Sequence, residues 1–171
     1  EDAYKVGQGE PPEGWERVTG EALKKLGGTS ELFPQLRKAF KASEYPDGYY
    51  AELYRSNPAT FGEERFVLSF RGTQGKTDGA ADLVQAFGGD TEQYSKAVKC
   101  AQKLKQVLGN KMDITGHSMG GGMATAAGIV TGSPVWAIDP AGVHPATLER
   151  AGKDYSRNHA ENYVHNFVAE G

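Results

Sequence analysis

From residue 49 onward, the apolar positions of the chain fall into two repeating patterns, short dense runs and longer stretches spaced by three and four. Tyr49 to Tyr54 (YYAELY) and Arg65 to Phe70 (RFVLSF) are short apolar and aromatic runs, and each predicts a strand. The loop Arg55 to Glu64 between them predicts a hairpin. Tyr94, Ala97, Val98, Ala101, Leu104, Val107 and Leu108 repeat at three and four, predicting a helix with Thr91 as its N-cap, stopped by Gly109-Asn110. Lys111 to Thr115 reads as a strand, Met123 to Val130 as a helix and Pro134 to Ile138 as a buried strand. Pro145 to Ala151 is expected to form a short helix and Ala160 to Val168 a last strand. Strands alternating with helices imply an α/β fold around a mainly parallel sheet with helices on both faces.

The first 48 residues are cut up by turn formers: Pro11-Pro12, Gly14, Gly27-Gly28, Pro34 and Pro46-Asp47-Gly48. Glu21 to Leu26 and Leu32 to Phe40 can form short helices there, and so can Ala80 to Phe87 further on. Residues 1–171 are therefore expected to be one domain, with 1–48 as an irregular N-terminal cover and 49–171 as the core. Trp15 anchors the cover or, with Phe33 and Phe61, lines an apolar groove.

Composition narrows the class. A hydrophobic share of 38% and a charged share of 24% fit a globular chain. A net charge of −3 with no basic stripe argues against nucleic acid as a partner. No apolar run approaches the roughly 20 residues that span a bilayer. The chain begins at Glu1 without a methionine or a signal pattern, so it is expected to be a piece cut from a longer protein. Its single cysteine, Cys100, lies in the helical pattern and is expected to be a buried structural thiol.

The chemistry is concentrated in Ile114-Thr115-Gly116-His117-Ser118-Met119-Gly120-Gly121-Gly122. This is the end of an apolar strand, then Gly-x-Ser-x-Gly, then the small-residue start of a helix. Serine hydrolases use that pattern as a nucleophile elbow, with the serine on a strained strand-to-helix turn. A Cβ at Gly116 or Gly120 would collide with the neighbouring strand and helix. Ser118 is thus the candidate nucleophile, and the Met119 backbone N–H at the helix head is a candidate oxyanion donor. Asp78 and Asp82 lack a His/Cys cluster, and the glycine runs lack a following Lys-Ser/Thr. No metal, phosphate loop or cofactor is expected.

Taken with that motif, Phe70-Arg71-Gly72-Thr73 resembles the oxyanion turn of class 3 lipase-like α/β-hydrolases, which lies upstream of the elbow. The layout is most similar to lipase domains of bacterial secreted antibacterial effectors. Their features include a Pro-Gly-Trp-like segment, here Pro12-Glu13-Gly14-Trp15, and an Asn/Asp-Pro-Ala-Gly turn, here Asp139-Pro140-Ala141-Gly142. The resemblance implies an acyl-serine hydrolase of lipid esters and assigns Thr73 as the second oxyanion donor. Arg71 is expected to hold the loop through backbone carbonyls. The resemblance also implies a cognate immunity protein as partner, peripheral membrane contact and a secreted effector acting on a target-cell membrane.

The base and the acid stay open. Of the four histidines, His117 is the variable position of the motif, His159 precedes the last strand, and His165 is expected to be a satisfied core residue. His144 alone sits on a loop leaving a strand's carboxyl end, where catalytic groups gather. Asp139 ends the strand after the motif, which gives Ser118–Asp139–His144 as one candidate triad. In the effector-like relatives, however, the acid follows the next strand, here Asn162 to Val168, after which come Glu170 and Gly171. Glu170 is therefore a third candidate acid. The leading expectation places base and acid beyond residue 171, in an incomplete domain finished by a downstream segment or a second chain. Two other functions fit the same residues: a soluble short-chain esterase or thioesterase, and a non-catalytic hydrolase-like binding module or part of a split domain.

Overall fold

A computed structural model describes residues 10–18, 20–26, 49–72, 91–152 and 160–169. The expected helices Leu32 to Phe40 and Ala80 to Phe87 lie outside the described residues, as do Phe33, Thr73, Asp78, Asp82, His159 and Glu170.

The predicted hairpin is present. β2 (Ala51–Ser56) pairs antiparallel with β3 (Phe66–Phe70), Ala51 opposite Phe70 and Arg55 opposite Phe66. Its connection holds a one-turn helix, α2 (Pro58–Phe61), capped by the Asn57 side chain, whose Oδ1 accepts from Ala59 N–H at 2.9 Å. Gly62 ends that turn at φ 79°, a left-handed conformation that glycine adopts without a Cβ penalty. Among the described residues of the N-terminal part, β1 (Trp15–Arg17), which the sequence pattern did not suggest, adds to β2 as an antiparallel edge strand, and α1 (Gly20–Lys25) forms where Glu21 to Leu26 was expected to be helical.

Beyond β3 the connections become crossovers, and the strands run parallel. The long helix α3 (Thr91–Leu108) leads to β4 (Met112–His117), α4 (Met119–Thr131) to β5 (Val135–Ile138), and α5 (Pro145–Arg150) precedes β6 (Val164–Phe167). The strand order is β1-β2-β3-β4-β5-β6, with β3 through β6 mutually parallel. This is the mixed, mainly parallel sheet of an α/β-hydrolase fold. The predicted last strand is shorter than expected, because Ala160–Asn162 form a 3-10 turn before it.

The core lies on one face of the sheet. Leu68, Phe70, Met112, Ile114, Val135 and Ala137 point to that face and are buried. α4 lies directly on it, and α3 packs along α4. A Cβ at Gly128 would run into Val135, so the glycine sets the close approach of α4 to β5. Cys100 is buried in α3, as expected, and burial pushes its thiol up to about 11. On the opposite face of β5 and β6, Trp136 and His165 stack at 4.5 Å between ring centroids, with Phe167 next to them. Among the described residues β6 is the last strand of the sheet, and His165 is exposed there rather than in the core; of its four residues Val164 packs against the core.

Candidate active site

In a parallel sheet the strands deliver their following residues to one edge, and ligands gather there. Ser118 follows β4, Asp139 follows β5 and Val168 follows β6, so the sheet brings all three to its carboxyl edge. Arg71 and Gly72, which follow β3, arrive at the same place.

Ser118 joins β4 to α4 in a single residue at φ 57°, ψ −124°. A non-glycine residue at positive φ is strained by roughly 1–3 kcal/mol and persists only where its surroundings hold it. Here they do. The Ser118 N–H donates to Ile138 O at 3.0 Å, and the Ser118 carbonyl accepts from Gly122 N–H at 3.1 Å and Ala141 N–H at 2.9 Å. The flanking glycines meet the expectation made for them. A Cβ on Gly116 would strike the Gly120 carbonyl, and one on Gly120 would strike Phe70 O and lie 2.9 Å from Arg71 C and Gly72 N. The head of α4 therefore touches the backbone that leaves β3. Met119 is the first residue of that 13-residue helix, at the positive end of its dipole.

The Asp139–Gly142 turn closes over the same helix. Pro140 packs on Gly121, whose Cβ would lie 3.0 Å from the proline ring, and Tyr94 of α3 donates from its hydroxyl to Gly142 O at 3.3 Å. Asp139 is the other non-glycine residue at positive φ, 42°. Its side chain reaches β6: Oδ1 accepts from Ala169 N–H at 2.7 Å, while the Asp139 N–H donates to Phe167 O at 2.7 Å. The carboxylate therefore fastens the exit of β6 to the exit of β5.

His144 is the N-cap of α5, and its Nδ1 accepts from Ala146 N–H at 3.2 Å. That bond needs an unprotonated Nδ1, hence a proton on Nε2. A triad base needs the reverse, an Nδ1–H toward the acid and a free Nε2 toward the serine. Among the described residues, no hydrogen bond joins Ser118 Oγ to a histidine, and none joins His144 to Asp139. His117 is exposed at the end of β4. Arg71 is buried, its guanidinium 5.0 Å from the Tyr50 ring centroid, and its N–H donates to Tyr50 O at 3.0 Å.

Trp15 and Phe61 pack with tilted rings, 5.5 Å between centroids, but they do not line this edge. Trp15 lies opposite Ser56, beside Arg55, which pairs with Phe66 at the start of β3. They occupy the amino edge of the sheet, the far end from Ser118. The apolar side chains exposed near Ser118 are instead Ile138 (48% exposed), Phe167 (53%) and Val168 (73%). Among the described residues, no three or more His, Cys, Asp or Glu side chains converge as metal ligands, and no helix is long and apolar enough to cross a membrane.

Over 107 residues the chain is 36% identical to an extracellular phospholipase A1 of Serratia liquefaciens, a stretch covering 63% of this chain and 32% of that protein. The matched stretch thus spans about a third of the curated relative's length. Residues 1–171 match the family model of the Tle-like phospholipase domain, described as phospholipase-like, and the chain belongs to that lipase-like family of phospholipase domains.

Proposed function

We propose that the protein hydrolyses the carboxylic ester bonds of glycerophospholipids, with Ser118 as the nucleophile of a strained elbow. The observation that carries the reading is the backbone of Ser118, a non-glycine residue held at φ 57° between a parallel strand and a helix head. In the mechanism, Ser118 Oγ attacks the ester carbonyl as its proton passes to a histidine base. The resulting oxyanion takes hydrogen bonds from Met119 N–H and from the Thr73 turn. Collapse breaks the bond to the glycerol oxygen, which receives the proton from the imidazolium, and water then releases the fatty acid from the acyl-serine.

The base and the acid come from the chain that follows β6; the Asp139–Ala169 bond, which holds the exit of β6 at this edge, supports that reading, and Glu170 is the next carboxylate in the sequence. His144 serves only if it leaves its cap position. By analogy with the relative's printed name, the ester cleaved is at the first acyl position and the enzyme acts outside the producing cell. The family resemblance extends that to a secreted effector that attacks a target-cell membrane and is held in check at home by an immunity protein.

The test uses the full-length protein on phosphatidylcholine vesicles and on short soluble esters. Turnover and fluorophosphonate labelling should both vanish in Ser118→Ala, and vesicles should be the better substrate. A variant that still labels and turns over overturns the nucleophile, and a preference for soluble esters overturns the lipid assignment. His144→Asn keeps a good cap residue while removing the imidazole. If its turnover falls to the Ser118→Ala level, His144 is the base.

A further inference from the structure

The chain buries an ionic ladder that the reaction described above does not use. Tyr50, Glu52 and Tyr54 alternate along β2 and so share one sheet face, the one opposite α4. Glu52 is fully buried. Its Oε1 accepts from the Tyr50 hydroxyl at 2.5 Å and from Arg17 Nε at 3.2 Å, and its Oε2 accepts from the Tyr54 hydroxyl. Arg17 lies 5.9 Å from the Tyr54 ring centroid, and Arg71 lies over the Tyr50 ring. A single carboxylate thus pairs with Arg17 and holds the hydroxyls of two tyrosines, one of which carries Arg17 over its ring and the other Arg71.

Stability alone gives little reason for this arrangement. Removing a carboxylate from water costs several kcal/mol, and well-packed apolar residues often stabilise as much or more. What polar contacts supply is a fixed geometry, and the ladder ends at a place where geometry matters. Arg71 follows β3 directly, and its backbone lies against Gly120, one residue from the Met119 N–H. Burial, followed by the bond to Glu52, also raises the Tyr50 phenol far above its ordinary range, so it stays a hydroxyl donor at any working pH.

We propose that Glu52 is a positioning residue for the reaction: through Tyr50 it fixes Arg71, and with Arg71 the backbone turn that faces the oxyanion beside Ser118. This rests on the reading of Ser118 as nucleophile. The ladder holds Arg71 and Gly72 at the β3 exit against the head of α4, where Met119 N–H lies. Losing a donor outright costs about 10²–10³ in turnover, so loosening one should cost about 10-fold.

The experiment compares full-length wild type, Glu52→Gln, Tyr50→Phe and Ser118→Ala, with active sites titrated by fluorophosphonate. Tyr50→Phe keeps the ring under Arg71 and removes only the hydroxyl, so it remains informative if Glu52→Gln folds poorly. Expected for Glu52→Gln are a kcat per titrated site about 10-fold down, an unchanged KM, and a matching loss of affinity for an arylboronic acid, which mimics the oxyanion state. Tyr50→Phe should move in the same direction by a few-fold. A merely structural role would lower the melting temperature and the titrated fraction and leave kcat per site and boronate affinity intact, which overturns the proposal. If Ser118→Ala is inactive while both ladder variants keep wild-type kcat, the positioning role alone falls. If Ser118→Ala remains active, the underlying reading falls and the proposal falls with it.

Discussion

Replacing Gly120 with alanine adds one methyl group where the head of α4 meets the backbone leaving β3. That Cβ would lie 2.9 Å from Arg71 C and Gly72 N and closer still to Phe70 O, where ordinary contact begins near 3.4 Å. None of these neighbours is the end of a flexible side chain. They are the backbone leaving β3, and they can yield only if the sheet and α4 separate. Clearing the first two atoms takes about half an ångström, and clearing the carbonyl takes more, so a displacement on the order of 1 Å is expected. A misplacement of that size at catalytic groups can cost about 10²-fold in rate, or about 2.7 kcal/mol of transition-state stabilisation. Overpacking should also lower folding stability by about 1–3 kcal/mol. The assay is kcat on phospholipid vesicles per folded protein, with thermal unfolding measured alongside. Gly142→Ala is the control, because a Cβ there meets nothing within 4 Å. The reasoning fails if Gly120→Ala keeps wild-type kcat, or if Gly142→Ala loses as much.

Asp139 offers a separation of roles: Asn retains an oxygen that can accept from Ala169 N–H and tolerates positive φ, whereas Ala does neither. As a fastener of β6, Asp139→Asn should stay within a few-fold of wild type and Asp139→Ala should lose about 10-fold, whereas a loss near 10⁴ in Asp139→Asn would make it the triad acid. Cys100, buried with its thiol at about 11, should resist iodoacetamide at pH 8 in the folded protein and react once urea unfolds it. Below about pH 9 that thiol is protonated whether the chain is folded or not; between 9 and 11 only the unfolded chain ionises. Stability should therefore fall as pH rises through that window, and fall less in Cys100→Ala; equal slopes for the two proteins would contradict the burial argument.

What the sequence makes legible is what local pattern decides. α3 follows from its three-and-four spacing, and Tyr94, Ala97, Val98, Ala101, Leu104 and Leu108 are all buried. α4 begins at Met119, where the nucleophile motif places the helix head, and runs into the Met123 to Val130 pattern through Gly120, Gly121 and Gly122, which are poor helix formers taken alone. Packing overrides propensity there: a side chain at any of the three would meet the β3 exit, Pro140 or Tyr94. β1 escaped detection because three residues carry no period, and its partner β2 lies far along the chain. His165 looked like a core residue because a strand within a parallel sheet is covered on both faces. Among the described residues β6 ends the sheet, and that follows from strand order rather than from composition.

The same division runs through the active site. Gly-x-Ser-x-Gly is legible because its residue types sit within five positions: the strained Ser118 and the two side-chain-free neighbours it needs are adjacent in sequence, even though the backbone that forbids a side chain at Gly120 belongs to the β3 exit. The partners of the serine are set by how separate strands end, which no spacing encodes. Asp139 has the residue type and the chain order of a triad acid, yet its carboxylate is spent on a backbone N–H that follows β6. His144 lies on the expected loop, yet the Pro145 that follows makes it the cap of a helix and holds its ring in the opposite tautomer. Trp15 and Phe61 have the chemistry of an acyl groove, but antiparallel pairing carries them to the amino edge. In each case the residue type suggested a role and the topology assigned its position. A catalytic reading of this fold therefore has to begin from strand exits: those of β3, β4, β5 and β6 converge at Ser118, and Glu52 acts there only because Tyr50 and Arg71 link β2 to that edge.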